Sequence, residues 1–87
     1  MMASNLNREE IRVTTLRILG EIAPEADLEH IKPDVSFRDQ LDIDSMDFLN
    51  FVVGLHETFK IEIPEADYPK MTTLNDCVEY LELAQKV

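Results

Sequence analysis

Few side chains in this 87-residue chain are of types that perform chemistry. Cys77 is the single thiol, His30 and His56 are the two imidazoles, and Ser45 stands in the acid-rich run Leu41-Asp42-Ile43-Asp44-Ser45-Met46-Asp47. A nucleophilic serine needs a base at hydrogen-bond distance. His56 lies on the same expected helix about 16 Å from Ser45 at 1.5 Å per residue, so it cannot serve. A calcium loop beginning at Asp42 fails, because its fifth position is Met46, its sixth is Asp47 where Gly is required, and its twelfth is Val53 rather than Glu. One Cys and two distant His do not make a zinc set. No catalytic residue and no metal ligand set is therefore expected.

What remains for Ser45 depends on its position. It follows Asp44 where a long connection meets a helix, and the free N–H groups and dipole of a helix start favour an anion. Two readings stay open at this point: the Asp-Ser pair is an ordinary cap, or the hydroxyl bears a phosphate ester at the helix mouth.

The elements that must position it follow from periodicity. Ile11, Thr15, Ile18, Leu19 and Ile22 share one helical face, predicting a first helix over residues 7–22. Asn7 suits its N-cap, with Glu10 as capping-box partner, Leu6 as a staple on Ile11, and Pro24 as terminator. Residues 24–44 read as a long connection anchored by Leu28, Ile31, Val35, Phe37 and Leu41, with one helical turn capped at Ser36. A second helix is expected over residues 45–60, with Asp44 as N-cap and Asp47 adding charge to its first turn. Pro64 and Glu65 open a short third helix that ends before Pro69. The last helix starts at Thr72 or Thr73 and carries Leu74, Cys77, Val78, Leu81 and Ala84 on one stripe. The expected fold is all-α: a small four-helix bundle, three longer helices and one short third, with a long connection between helices one and two. Residues 1–87 form one domain, with 1–6 as a loose N-terminus.

On a wheel of the second helix, Phe48, Phe51, Val52, Leu55 and Phe59 form an apolar arc opposite Asp47, Asn50, Gly54, Glu57 and Thr58. Met46 and Val53 fall on the boundary beside Asn50 and Glu57, as a small docking surface or as ordinary surface apolars. Eighteen acids against eight bases give a formal net charge of −10. That excludes a nucleic-acid binder, disfavours an anionic membrane surface, and points to partners with basic patches. One cysteine, no signal peptide and no spanning segment fit a cytoplasmic monomer.

The run around Ser45 resembles the Asp-Ser-Leu attachment motif of acyl carrier proteins. Phe59-Lys60-Ile61-Glu62-Ile63-Pro64-Glu65 is similar to that family's lead into its short third helix, and Met71-Thr72-Thr73-Leu74 looks like the start of its last. Asp-Ser alone is a weak motif; three segments in register along nearly the whole chain are a strong one. The resemblance implies that Ser45 receives a phosphopantetheine arm from coenzyme A through a separate Mg²⁺-dependent transferase. The arm's thiol then carries acyl groups as thioesters in fatty-acid, lipid or polyketide-type synthesis, and the chain itself is no enzyme. It implies that Asp44 contacts the transferase and metal, and that Met46, Asp47, Asn50, Val53 and Glu57 face partner synthases, transferases or ligases. A core lined by Phe48, Leu49, Val52, Leu55, Phe59 and Ile63 would part for an acyl chain, unless these are plain core residues.

Four positions depart from the family pattern. Asp42 stands where Gly is usual, Met46 replaces Leu, and Asn50 and His56 occupy places where acids are common. The last pair predicts weaker attraction to general partners and a specialised carrier. An aminoacyl or D-alanyl carrier, or an unmodified acidic adaptor, are the rival readings.

Overall fold

A computed structural model describes residues 6–85. Helix α1 spans Arg8–Ile22, and its start is the expected capping box: the Asn7 side chain accepts from the Glu10 N–H at 2.8 Å, while the Glu10 carboxylate accepts from the Asn7 N–H at 3.0 Å. Ala23 closes it, its N–H donating to the Leu19 carbonyl, one residue before Pro24. Of the N-terminus expected to be loose, residues 1–5 lie outside the described residues. Leu6 is tied down instead, since its N–H and C=O both pair with the Gln85 side-chain amide at 3.0 Å.

The connection carries a 3₁₀ turn at Leu28–His30 and a one-turn helix α2, Phe37–Gln40, capped by Ser36 as expected. Phe37 is wholly buried and meets Phe51 edge-on at a centroid distance of 5.2 Å. Leu28, Ile31 and Leu41 pack on the core as partial anchors, whereas Val35 is only half-buried and outside that cluster. Gln40 supplies a tie that the sequence pattern does not reveal. Its side-chain amide accepts from the Lys32 N–H at 2.9 Å and donates to the Lys32 and Val35 carbonyls, closing the connection on itself.

Helix α3, Ser45–Phe59, is followed by the 3₁₀ helix Glu65–Met71 and by α4, Leu74–Gln85. Two expectations need correction. Lys60 is not the last helical residue but the left-handed cap, φ 57° and ψ 37°. The short third helix does not end before Pro69 but runs through it to Met71. Proline's fixed φ matches 3₁₀ geometry, and a 3₁₀ segment does not make the i→i−4 bond that proline breaks inside an α-helix. Thr73, not Thr72, caps α4, its hydroxyl accepting from the Asp76 N–H at 3.0 Å. No strand forms among the described residues, including 60–63.

Helix α1 packs on both α3 and α4, and α4 also holds the 3₁₀ helix. The core gathers Ile11, Ile18 and Leu19 of α1, Phe51, Val52 and Leu55 of α3, and Leu74, Cys77, Val78 and Leu81 of α4. Gly54, expected on the polar arc, turns out to face α1: a Cβ there would stand 2.9 Å from Ile18 Cγ2. The missing side chain lets the two helices close up. The Tyr80 hydroxyl donates to Asp67 Oδ2 at 2.7 Å, fastening the 3₁₀ helix to α4, with Lys70 Nζ 3.4 Å from the other carboxylate oxygen.

Two measurable consequences follow. Thr15 is fully buried on α1 and its hydroxyl has no hydrogen-bond partner among the described residues. An unmade bond of this kind costs about 1–3 kcal/mol, so Thr15→Val is expected to raise stability by about 1 kcal/mol and Tm by about 4–8 °C. Burial, then the Asp67 carboxylate, push Tyr80 up to about 12, while the Tyr80 hydroxyl, then Lys70, hold Asp67 below its usual 3.8. The Tyr80 contribution is thus complete below pH 10 and lost as pH rises toward 12, and that of Asp67 is lost as pH falls below 3.8. Chemical denaturation against pH should show the stability gap between the wild type and Tyr80→Phe narrowing at both ends.

Candidate functional site at the start of α3

The site grows out of the cap of α3. Asp44 Oδ1 accepts from the Asp47 N–H at 2.9 Å, and Asp47 Oδ2 accepts from the Asp44 N–H at 3.2 Å. A reciprocal cap satisfies two donors and settles which residue begins the helix. Asp47 was expected only to contribute charge; its short side chain completes the box, and it is half-buried as a result. Ser45 therefore sits at the first helical position, exposed, with the capping already done by its neighbour. Of the two readings left open for the Asp-Ser pair, the cap belongs to Asp44 and leaves the Ser45 hydroxyl unused by it. The N–H groups of Ser45 and Met46 point out of the first turn without intrahelical partners, as at any helix start.

Beyond Ser45, one face of α3 stays in solvent. Met46 is 63% exposed, Leu49 38% and Val53 39%, with Asn50, His56 and Glu57 exposed around them. Leu49 departs from the expectation that it lines the interior. On the wheel it stands about 40° from Val53 and about 60° from Met46, so it joins their face, a signal the angles already held. The other interior candidates divide. Leu55 is wholly buried, Phe48 and Phe59 are half-buried against the core, and Val52 and Ile63 wall a small cleft of ≈ 190 Å³ with Val53, His56, Glu62 and Tyr68.

His56 has a structural task. Its Nδ1 lies 2.8 Å from the Ile61 carbonyl oxygen, which can only accept, so Nδ1 carries a proton and clips the left-handed turn at Lys60 to the helix. The other histidine, His30, pairs locally with Asp27 in the connection. Cys77 is buried, its thiol donating to the Met71 carbonyl at 3.3 Å, and burial pushes its pKa far up. It is an inert core group. Among the described residues no three His, Cys, Asp or Glu side chains gather as a metal site, and no helix is long and apolar enough to cross a membrane.

Residues 5–81 match the family described as phosphopantetheine attachment site. An acyl carrier protein of Renibacterium salmoninarum is 39% identical over 87 residues, covering 97% of this chain and 99% of the relative. The chain belongs to the acyl carrier protein family. A second family member, from Acidothermus cellulolyticus, is 35% identical over 78 residues, or 87% of this chain and 89% of its own. The solved acyl carrier protein from Enterococcus faecalis overlays 91% of this chain and 99% of its own with a TM-score of 0.77; at 24% identity this speaks for the shared helical fold. The protein is thus a carrier with covalently attached phosphopantetheine as its prosthetic group, and it works with acyl-handling enzymes.

The cap itself is open to test. Asp44→Ala should cost about 1 kcal/mol and lower Tm by about 4–8 °C, whereas Asp44→Asn, which still accepts from the Asp47 N–H, should stay near the wild type in a thermal melt.

Proposed function

We propose that Ser45 is the attachment point of the phosphopantetheine arm. The observation that carries this reading is the division of labour at the start of α3: Asp44 caps the helix, and the adjacent hydroxyl stands exposed beside uncommitted backbone N–H groups. An exposed hydroxyl can give up its proton and form the phosphoester bond to the coenzyme A phosphorus, the adenosine bisphosphate leaving. The N-terminal dipole of α3 favours the resulting anion. The bound arm supplies a terminal thiol that holds acyl groups as thioesters.

In the same reading, a separate phosphopantetheinyl transferase uses Mg²⁺ for the transfer, and Asp44 presents its remaining carboxylate oxygen to that enzyme and metal. Partner enzymes meet Met46, Asp47, Asn50, Val53 and Glu57, with Asp47 contributing through the cap rather than as a free charge. Phe48, Val52, Leu55, Phe59 and Ile63 remain the side chains that would give way to an acyl chain. Residues 1–87 act as one carrier domain, supplying acyl groups to fatty-acid, lipid or polyketide-type synthesis in the cytoplasm.

Incubation with coenzyme A, Mg²⁺ and a broad-specificity phosphopantetheinyl transferase should add one phosphopantetheine to the intact mass, and none in Ser45→Ala. A full-mass adduct in Ser45→Ala would overturn the assignment. Thiol alkylation gives a second readout. The native unloaded protein should resist the reagent because Cys77 is buried, and the loaded protein should expose a single fast thiol.

A further inference from the structure

A groove of ≈ 670 Å³ runs between α4 and the 3₁₀ helix Glu65–Met71, and no residue of α3 or of the connection lines it. Pro69 and Lys70 form one wall; Asp76, Glu79, Tyr80 and Leu83 form the other. Leu83 is 59% exposed. A single exposed leucine is ordinary, but this one shares its groove with the rings of Pro69 and Tyr80. The Tyr80 hydroxyl is committed to Asp67 at 2.7 Å, so the ring is what Tyr80 offers to an occupant. Lys70 is drawn to the same carboxylate, 3.4 Å away. Asp76 and Glu79 are both exposed, and among the described residues no base lies within ion-pair distance of either. Asp76, Glu79, Tyr80 and Leu83 follow one another at helical spacing, so they share a strip of α4 about 10 Å long.

Charge decides among the occupants of such a strip. A second copy of this chain brings a further −10 and its own acids, and like charges oppose the contact. An anionic lipid surface fails for the same reason. Two uncompensated carboxylates beside an apolar floor match a cationic helix with one apolar edge, laid along the groove. We infer that the groove between α4 and the 3₁₀ helix is a second docking site, for a basic amphipathic helix of a partner protein. An apolar side chain of that helix rests on Leu83 and Tyr80, and lysines or arginines one and two turns further along meet Glu79 and Asp76. This site goes beyond the attachment reading and does not depend on it. Leu83 stands about 12 Å along α4 from Asn75, where the connection that leads to Ser45 is pinned through Pro33. A partner held in the groove leaves Ser45 and the exposed side of α3 uncovered, so the carrier is tethered while its arm stays available.

The probe is a capped synthetic peptide of leucine and lysine, its leucines at helical spacing, titrated into the isotope-labelled unloaded full chain. Amide shift changes should gather on residues 70–84 and spare α3. Leu83→Gln, at an exposed position where the fold tolerates the change, should raise Kd about fivefold to tenfold in low and in high salt. Val13→Gln, the matching loss of exposed apolar surface on α1, should bind as the wild type does. The double variant Asp76→Asn, Glu79→Gln should raise Kd in low salt and converge on the wild type in high salt. Wild-type Kd in Leu83→Gln, or shift changes spread over α3 and the connection, would overturn the docking site. Equal affinity for a peptide with glutamate in place of lysine would overturn it too. A dimer in sedimentation equilibrium that Leu83→Gln dissociates would give the groove to a second copy of the chain, against the proposal.

Discussion

The reciprocal hydrogen bonds between Asp44 and Asp47 are the constraint on which the functional end of this protein depends. They set the first residue of α3 and hold the turn on which Ser45 stands. Because Asp44 serves as the cap, Ser45 is released from that task and placed on the rim of the helix.

That cap is useful only if the chain before it is held still. The connection has little regular structure, yet it is fastened at several points that no local pattern supplies. The Phe37 N–H donates to the Thr72 carbonyl at 2.8 Å, and the Asn75 N–H donates to the Pro33 carbonyl at 3.0 Å. Both bonds reach the segment around the start of α4, so the connection between α1 and α3 is pinned there. The edge-on contact of Phe37 with Phe51 then ties it directly to α3. Buried backbone groups must find partners, and these bonds are where the connection finds them.

A carrier hands its cargo on, so the thiol that holds the cargo must be the arm's own. A reactive thioester needs a single free thiol, and the protein's own Cys77 is sealed beneath Met71, out of competition with the arm. The net charge of −10 favours fast, salt-sensitive encounters with basic partners.

Helices α1 and α4 and the start of α3 were legible from local pattern, because caps and 3.6-residue periodicity act between neighbours in the chain. Asn7 with Glu10, Ser36, Asp44 and Thr73 all cap as their residue types dictate. The helix start that presents Ser45 was equally readable, since it is written in adjacent residues. Tertiary structure decided the rest. Why Gly54 is a glycine depends on where α1 lies against α3, which neither segment encodes alone. The Gln40 clasp, the Tyr80–Asp67 bond and the passage of the 3₁₀ helix through Pro69 likewise arise between or around elements. Periodicity reports how much of a helix is covered, but only the positions of its neighbours determine which edge of that face remains in water.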